Sequence, residues 1–271
     1  MANENSPEPS YTLYVYYTRY SSWGVRAQLI FEYFKIPYKA EYFNFDIPDL
    51  TPPPELKVLP VLDVTSAPGT AAGEETLRIP DSLAIAEYLA ERYPEKHLWP
   101  ADPQLRALAR VAAAQMHSGF AALRDAYPSN FVARFTGSGI PFGEAVAADV
   151  RMLFELWNRL RVAAKKRLAQ LEEIDRGFLC GGFSIADAFF WPVLWRLRTY
   201  DVPLTGITDE GLKWMATMWN DSVMKAQARE YFRQARDPKT LVVPYDNIFK
   251  DSPNVTLGTF TEDWVFDGAS I

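Results

Sequence analysis

The hydrophobic pattern of this sequence changes at residues 94–103, a stretch that contains three prolines. Before it, short β-branched and aromatic segments alternate with segments whose apolar residues recur at helical spacing. After it, four long segments have helical spacing, and no convincing strand is predicted before the C-terminal tail. A mixed α/β half followed by an all-helical half predicts two domains packed against each other.

The first half is predicted to have the element order β-α-β, an irregular stretch with Pro52–Pro54, and then β-β-α. Ser21 and Ser22 form a natural N-cap for the first helix, and Asp81 with Ser82 opens the last one. The predicted strands cover Thr12–Tyr17, Lys39–Phe45, Val58–Val64 and Thr76–Ile79, and the predicted helices cover Ser22–Phe34 and residues 81–93.

The second half is predicted to contain helices at Gln104–Ala126, Phe142–Glu173, Ser184–Tyr200 and Glu210–Arg236. We therefore expect a disordered arm (1–10), an α/β domain (11–94), a linker (95–103), a helical domain (104–236) and a C-terminal extension (237–271). The residues from Ser66 to Gly73 are rich in Ala, Gly, Pro and Ser and indicate a loose loop. The acidic, proline-bearing extension is predicted to lie on the body and to be partly ordered at best.

Composition excludes several classes of function. The apolar fraction of 48% and the charged fraction of 23% are typical of a soluble globular protein. A net charge of −6 without a basic stripe argues against nucleic acid as a partner. The polar N-terminus is unlike a secretory signal, and no apolar stretch is long enough to cross a bilayer. Cys180 is the single cysteine, which fits a reducing compartment, and the two histidines lie far apart. We therefore expect a cytoplasmic protein with no metal, membrane or nucleic-acid partner.

Five short patterns occur in a specific order along the chain. They are Ser21-Ser22-Trp23 before a helix, Val58-Leu59-Pro60-Val61-Leu62, Pro80-Asp81-Ser82-Leu83, Leu98-Trp99-Pro100 and Phe183-Ser184-Ile185-Ala186-Asp187. Together they resemble the cytosolic glutathione transferase superfamily, over nearly all of the chain from Tyr11 to Arg236. The serine pair and the run Met116-His117-Ser118-Gly119-Phe120 are most similar to the serine-type, zeta-like enzymes, the maleylacetoacetate isomerases among them. The resemblance implies a thioredoxin-like N-terminal domain, an all-helical C-terminal domain and a homodimer.

The resemblance also implies a glutathione site. In the family the bond before Pro60 is cis, and Leu59 offers its backbone N–H and C=O to the cysteinyl part of glutathione, as in strand addition. Ser82 would hold the γ-glutamyl carboxylate at a helix N-terminus, and Asp81 would help to hold the α-amino group. Without a ligand, Pro60 would be an edge-strand proline, and Asp81 with Ser82 would be only an N-cap. Lys57 lies one place early compared with the usual Gly-Lys-Val-Pro, so its contact with the glycyl carboxylate is left open.

Ser21 is predicted to carry the chemistry. A hydroxyl that donates to sulfur at a helix N-terminus favours a thiolate, whereas a free thiol has a pKa of about 8.5. Ser21 stands where related members carry a catalytic hydroxyl or thiol, and Ser22 is a near-equal candidate. The pair could instead serve only as a helix N-cap. Arg26 is interpreted as an ordinary exposed helix charge, and Cys180 as a buried small residue.

The pocket for the second substrate is expected between the domains. Met116, Phe120, Leu123 and Tyr127 share one helical stripe, which by default indicates core. The resemblance implies that the exposed edge of this stripe lines an apolar acceptor pocket. The residues predicted to line that pocket are Trp23, Met116, His117, Phe120, Arg124 and Tyr127, with Asn130 nearby. Ser184 and Asp187 are predicted to form a short capping box with a purely structural role.

Three functions remain open from the sequence. The leading hypothesis is a glutathione S-transferase that conjugates a glutathione thiolate to an apolar electrophile. The second is a glutathione-dependent cis–trans isomerase, of the maleylacetoacetate type or acting on a polyene in specialised biosynthesis. The third is a non-catalytic module used for protein interaction.

Overall fold

The computed structural model describes residues 8–66 and 75–268 of the chain. Its N-terminal half contains a four-stranded sheet with strand order β2-β1-β3-β4. Strand β1 pairs in parallel with β2 and antiparallel with β3, and β3 pairs antiparallel with β4. This mixed sheet, with its two helices, is thioredoxin-like. The strands are β1 (Ser10–Tyr16), β2 (Lys39–Phe43), β3 (Val61–Thr65) and β4 (Thr76–Pro80), and the helices are α1 (Ser22–Tyr33) and α2 (Ser82–Arg92).

Alternation along β1 places the sheet against the helices. Tyr11, Leu13 and Val15 are buried and share a core cluster with Val25 and Leu29 of α1. The intervening side chains point to the other face of the sheet, because successive residues of a strand alternate. On that face two tyrosines of β1 pack against a smaller cluster formed by Leu56, Leu59 and Val61.

The C-terminal half is a helical domain built around one buried helix. The helices are α3 (Pro103–Ser118), α4 (Ala121–Ala126), α5 (Glu144–Leu171), α6 (Ile185–Thr199), α7 (Asp209–Asn220), α8 (Ser222–Ala235) and the short α9 (Val243–Asp246). All residues of α6 are buried, including the charged residues Asp187, Arg196 and Arg198 of this otherwise mostly apolar helix. Helix α6 packs against α1 and α3 and therefore joins the two halves. The capping box of Ser184 and Asp187 at its start is confirmed.

The residues between the two halves are part of the core. Leu98 and Trp99 are buried, and the indole N–H of Trp99 donates to Glu87 at 3.1 Å. The carbonyl of Leu98 accepts from the Ile185 N–H at 3.0 Å, which ties this segment to the start of α6. The proline-rich stretch therefore fixes the two halves relative to each other.

Several predicted helix and strand boundaries are corrected. Pro60 precedes β3, so that strand begins at Val61 and not at Val58. The helix predicted at Gln104–Ala126 is divided by Phe120, whose φ is +55°, and the one predicted at Glu210–Arg236 is divided at Asp221, the N-cap of α8. An unpredicted strand, β5 (Ala133–Thr136), also lies in the helical half.

The predicted disorder of the N-terminal arm is corrected in part. The disordered arm predicted at residues 1–10 is wrong for residues 8–10, because Glu8 accepts hydrogen bonds from Arg92 and Tyr93 and Ser10 begins β1. Residues 1–7, and the predicted loop after Ser66, lie outside the described residues.

The C-terminal segment, residues 237–268, is built into the fold. Its strand β6 (Thr256–Thr259) pairs antiparallel with β5. The guanidinium carbon of Arg198 in α6 lies 3.8 Å from the ring centre of Phe260 and 4.5 Å from that of Trp264. Cation–π contacts of this kind stabilise a buried arginine that has few hydrogen-bond partners. The expectation of a partly ordered extension is therefore corrected.

Candidate functional site

A cleft of about 460 Å³ opens at the start of α1, between the two halves of the molecule. We call it the serine cleft, because Ser21 and Ser22 both line it. Its lining includes Tyr20, Ser21, Ser22, Trp23, Phe45, Leu59, Arg124, Arg196, Val242 and Tyr245. Both halves of the chain and the C-terminal segment thus contribute to one cavity.

The two serines have different hydrogen bonds. Ser21 is the N-cap of α1, and its Oγ accepts from the Gly24 N–H at 3.2 Å. Ser22 is the first residue of the helix, and its Oγ accepts from Nη2 of Arg196 at 3.2 Å. Because each hydroxyl oxygen already accepts a hydrogen bond, its own proton is free to be donated to another group. The start of α1 adds unsatisfied backbone N–H groups and the positive end of the helix dipole.

Positive charge is concentrated beside the serines. Arg26 is completely buried, and its guanidinium carbon lies 4.3 Å from the ring centre of Trp23. None of its side-chain nitrogens has a hydrogen-bond partner in the described part of the chain. Burial, with repulsion from Arg196 and Arg124, lowers the pKa of Arg26 well below its usual value, and Asp81 opposes this effect. The interpretation of Arg26 as an exposed charge is therefore wrong, and an anion in this region would be electrostatically favoured.

A second pocket, of about 390 Å³, lies at the start of α2 and is called the Asp81 pocket. Its lining includes Leu59, Pro60, Asp81, Ser82 and His117. The peptide bond between Leu59 and Pro60 is cis, which confirms the prediction made from the resemblance. Trp23 and Leu59 line both pockets, so the Asp81 pocket and the serine cleft adjoin.

Asp81 is held in an unusual conformation. Its φ is +89°, and the backbone of residues other than glycine rarely adopts a positive φ. One carboxylate oxygen caps α2 by accepting from the N–H groups of Leu83 and Ala84, at 2.7 and 3.1 Å. The other lies 3.2 Å from Nε2 of His117 in the helical half. Such backbone strain is found preferentially at functional sites, because the surrounding structure must hold it in place.

Ser82 combines burial with an unused hydroxyl. The residue is 1% exposed, and its Oγ has no hydrogen-bond partner among the residues that the structure describes. As the first residue of α2, it also lies where backbone N–H groups are left over by the helix. This hydroxyl can therefore donate to, or accept from, a bound group.

The C-terminal segment forms part of the cleft. Val242 and Tyr245 line it, and the Tyr245 ring packs against Tyr20 and Phe45, with ring centres 5.6 and 6.1 Å apart. Asp246 Oδ1 accepts from the Tyr20 hydroxyl at 3.1 Å. The same oxygen accepts from the amide of Asn130 at 2.6 Å, and Asn44 donates to the carbonyls of Lys239 and Leu241. The segment therefore contacts both halves of the molecule around the cleft.

The other predicted site residues divide into two groups. Trp23 and Arg124 line the serine cleft and His117 lines the Asp81 pocket, so the structure brings these three to the site. Met116, Phe120 and Tyr127 are buried in the core, at 0%, 3% and 1% exposure, and line neither pocket. The whole helical stripe is core because α4 turns away from α3 after Gly119. Lys57 is exposed and is not part of the described lining of the Asp81 pocket.

Among the named lining residues, the sequence did not predict Tyr20 and Phe45 of the first domain, nor three residues from the rest of the chain: Arg196, Val242 and Tyr245. For Arg196 the available signal was a charged residue that closes the apolar run of α6. No local pattern identifies the other two, because their position depends on the path of the C-terminal segment. Cys180 is buried, as predicted, and burial raises the pKa of its thiol, so it is not a reactive thiolate.

Known proteins similar to this chain agree with this architecture. Residues 106–220 match the family model described as the C-terminal domain of glutathione S-transferase. A zeta-class glutathione S-transferase of Euphorbia esula is 29% identical over 197 residues, which cover 70% of this chain and 75% of that protein. A glutathione transferase homolog from Burkholderia, with bound glutathione, has the same fold with a TM-score of 0.54 at 23% identity, over 84% of this chain and 99% of the other.

Residues 106–220 therefore match a glutathione S-transferase C-terminal domain, and the chain has the glutathione transferase fold. A further similarity is local. Pyrimidodiazepine synthase of Drosophila melanogaster is 35% identical over 94 residues, which cover 34% of this chain. The match spans only 36% of the length of that protein.

Among the described residues, no group of three or more His, Cys, Asp or Glu side chains is arranged to hold a metal ion. No helix within residues 8–66 and 75–268 is both long and apolar enough to cross a membrane.

Proposed function

We propose that this protein binds glutathione across the Asp81 pocket and the serine cleft, and ionises its thiol beside Ser21 and Ser22. The γ-glutamyl carboxylate would lie at the start of α2, where the unpaired hydroxyl of Ser82 and free backbone N–H groups attract an anion. The cysteinyl part would pass Leu59, which borders both pockets. This path leads the sulfur towards the start of α1.

The observation that carries the proposal is the serine pair in its positive surroundings. Both hydroxyls accept hydrogen bonds from N–H groups and can donate their protons to sulfur. The helix dipole and the buried guanidinium groups of Arg26 and Arg196 favour the charged form of a thiol over its neutral form. Among the described residues the side-chain nitrogens of Arg26 and Nη1 of Arg196 have no hydrogen-bond partner, and a thiolate would offset their positive charge.

The reaction that fits best is conjugation to an electrophile bound in the serine cleft. A largely apolar acceptor could pack against the four aromatic rings that line this cleft, those of Tyr20, Trp23, Phe45 and Tyr245. The thiol proton passes to solvent, and the thiolate forms a carbon–sulfur bond with the acceptor. The displaced electron pair leaves with the leaving group or, in an addition, is taken up by the acceptor, which then gains a proton. The protein supplies the ionised sulfur and holds two substrates in contact.

Glutathione-dependent isomerisation is the second candidate. It is favoured by the serine pair and by the similarity to a zeta-class transferase. In that reaction the thiolate adds to a conjugated double bond, rotation follows, and the sulfur leaves again. Glutathione would then be recovered unchanged, whereas conjugation consumes one glutathione for each product. Measuring glutathione during turnover therefore separates the two reactions.

Serine substitutions test the proposal. Glutathione binding is measured by calorimetry, and its ionisation by the ultraviolet absorbance of the bound thiolate. The double variant Ser21→Ala/Ser22→Ala should lose roughly tenfold to hundredfold in kcat/KM, the effect of one hydrogen bond to a charged group. Ser222→Ala is the matched control, because Ser222 is also the first residue of a helix but lies outside both pockets. Full activity of the double variant, or no binding of glutathione by the wild-type protein, would refute the proposed mechanism.

A further inference from the structure

Arg196 reaches the serine pair from the opposite half of the molecule. It lies near the end of α6, is 5% exposed, and lines the serine cleft. Its Nε donates to the carbonyl of Tyr127 at 2.9 Å, which fixes the plane of the guanidinium. Its Nη2 donates to Ser22 Oγ at 3.2 Å, across the interface between the domains. This contact joins the helical domain directly to the start of α1.

The guanidinium of Arg196 keeps its positive charge and has one nitrogen without a hydrogen-bond partner among the described residues. Its Nη1 has no hydrogen-bond partner among the described residues. Burial lowers the pKa of Arg196 to about 10, with a further decrease caused by Arg124, so the side chain stays charged at neutral pH. Its charge is therefore felt by the group that it contacts, which is the Ser22 hydroxyl.

The two serine hydroxyls are consequently not equivalent. The Ser21 oxygen accepts from a neutral backbone N–H and acts as the N-cap. The Ser22 oxygen accepts from a cation at the same 3.2 Å, and a hydrogen bond from an ionised donor is stronger than one from a neutral donor. A hydroxyl that accepts from a cation becomes a better donor through its own O–H, because hydrogen bonds in a chain polarise one another.

We infer that Ser22 donates to the sulfur of glutathione, and that Arg196 is the positioning residue that orients and polarises the Ser22 hydroxyl. The inference rests on the proposed function and makes it more specific. Ser22 keeps its proton and stabilises the thiolate by hydrogen bonding, while the thiol proton is released to solvent. The ionisation of a ligand bound to the first domain then depends on a side chain of the second domain.

The test is the pKa of the thiol of bound glutathione, read from thiolate absorbance against pH. Ser22→Ala and Arg196→Met should each raise this pKa by about one unit, a tenfold loss of thiolate at low pH. Ser21→Ala should change it less. Arg196→Lys should restore part of the effect, because it returns a positive charge near Ser22. The double variant Ser22→Ala/Arg196→Met should resemble either single variant, since both remove the same interaction.

Arg198→Met is the matched control, because Arg198 is a buried arginine of the same helix that donates to Phe131 and contacts neither serine. It should leave the thiol pKa unchanged. The inference is overturned if Ser21→Ala raises the pKa while Ser22→Ala does not, a comparison that stands even if Arg196→Met does not fold. Failure of the wild-type protein to bind glutathione would overturn the proposed function as well, whereas a bound thiolate insensitive to Ser22 would overturn the inference alone.

Discussion

Replacing Arg26 by methionine should make this protein more stable. Arg26 is completely buried, and its three side-chain nitrogens have no hydrogen-bond partner within the described part of the chain. Its guanidinium carbon lies over two aromatic rings, 4.3 Å from the ring centre of Trp23 and 5.1 Å from that of Phe189. Methionine has a similar length, packs against aromatic rings and carries no charge. The substitution therefore removes a desolvated ion while filling most of its space.

The expected increase in the free energy of unfolding is the balance of two opposing effects of Arg26, the cost of its unpaired donors and the gain from its ring contacts. Each buried donor without a partner costs about 1–3 kcal/mol. The two cation–π contacts return about 0.5–2 kcal/mol each. Replacement of buried ionic groups by apolar side chains of similar volume is neutral or stabilising by about 1–4 kcal/mol. We expect the free energy of unfolding of Arg26→Met to exceed that of the wild type by about 2 kcal/mol, within that range.

The measurement is equilibrium urea denaturation followed by circular dichroism, without glutathione. Arg124→Met is the control, because Arg124 is only half-buried and its Nε donates to the Gly119 carbonyl. It should change the free energy of unfolding by less than about 0.5 kcal/mol, as surface substitutions do. If Arg26→Met proves less stable than the wild type by more than about 1 kcal/mol, the guanidinium has a stabilising partner and the reasoning fails. Arg26→Met should also lower the fraction of bound glutathione that is ionised, because the positive charge of Arg26 near the serines is lost.

Three further predictions concern α6 and the C-terminal segment. Burial raises the pKa of Asp187 to about 6 despite its hydrogen bonds, so the native state binds the proton more tightly than the unfolded chain. The free energy of unfolding of the wild type, relative to that of Asp187→Asn, should therefore fall by up to about 3 kcal/mol as the pH rises from 4 to 7. If urea denaturation gives the same difference between the two proteins at every pH, the prediction is contradicted. Tyr245→Ala should enlarge the serine cleft and raise kcat/KM for a bulky acceptor relative to a small homologue, and an unchanged ratio would show that the segment does not limit acceptor size. Trp264→Ala should cost about 2–3 kcal/mol in thermal unfolding by removing a ring that packs on Arg198 and Trp219, and a smaller loss would mean that β6 alone holds the segment.

The sequence was most informative about local features of the first domain. Ser21 is the N-cap of α1 and Asp81 is the N-cap of α2, as predicted. These features depend on residues within a few positions of each other, such as a hydroxyl or carboxylate and the N–H groups of the next turn. The capping box of Ser184 and Asp187 was predictable for the same reason.

Predictions about burial and about long-range contacts were less successful. An isolated helical arginine is usually exposed, but Arg26 is completely buried, with Trp23 of α1 and Phe189 of α6 against its guanidinium. Met116 and Phe120 were expected at the edge of a pocket, yet the break between α3 and α4 turns both into the core. Helical spacing shows which residues share a face, but not which neighbour will cover that face.

The amino-acid sequence by itself determined the order of elements in the first domain and the N-caps of its two helices, Ser21 and Asp81. Only the tertiary structure decided that Arg196 lies against Ser22 and that Tyr245 borders the same cleft. The physical reason is distance along the chain. Caps and turns are fixed by interactions between near neighbours, whereas Ser22 and Arg196 are separated by 174 positions and meet only because α1 and α6 pack together.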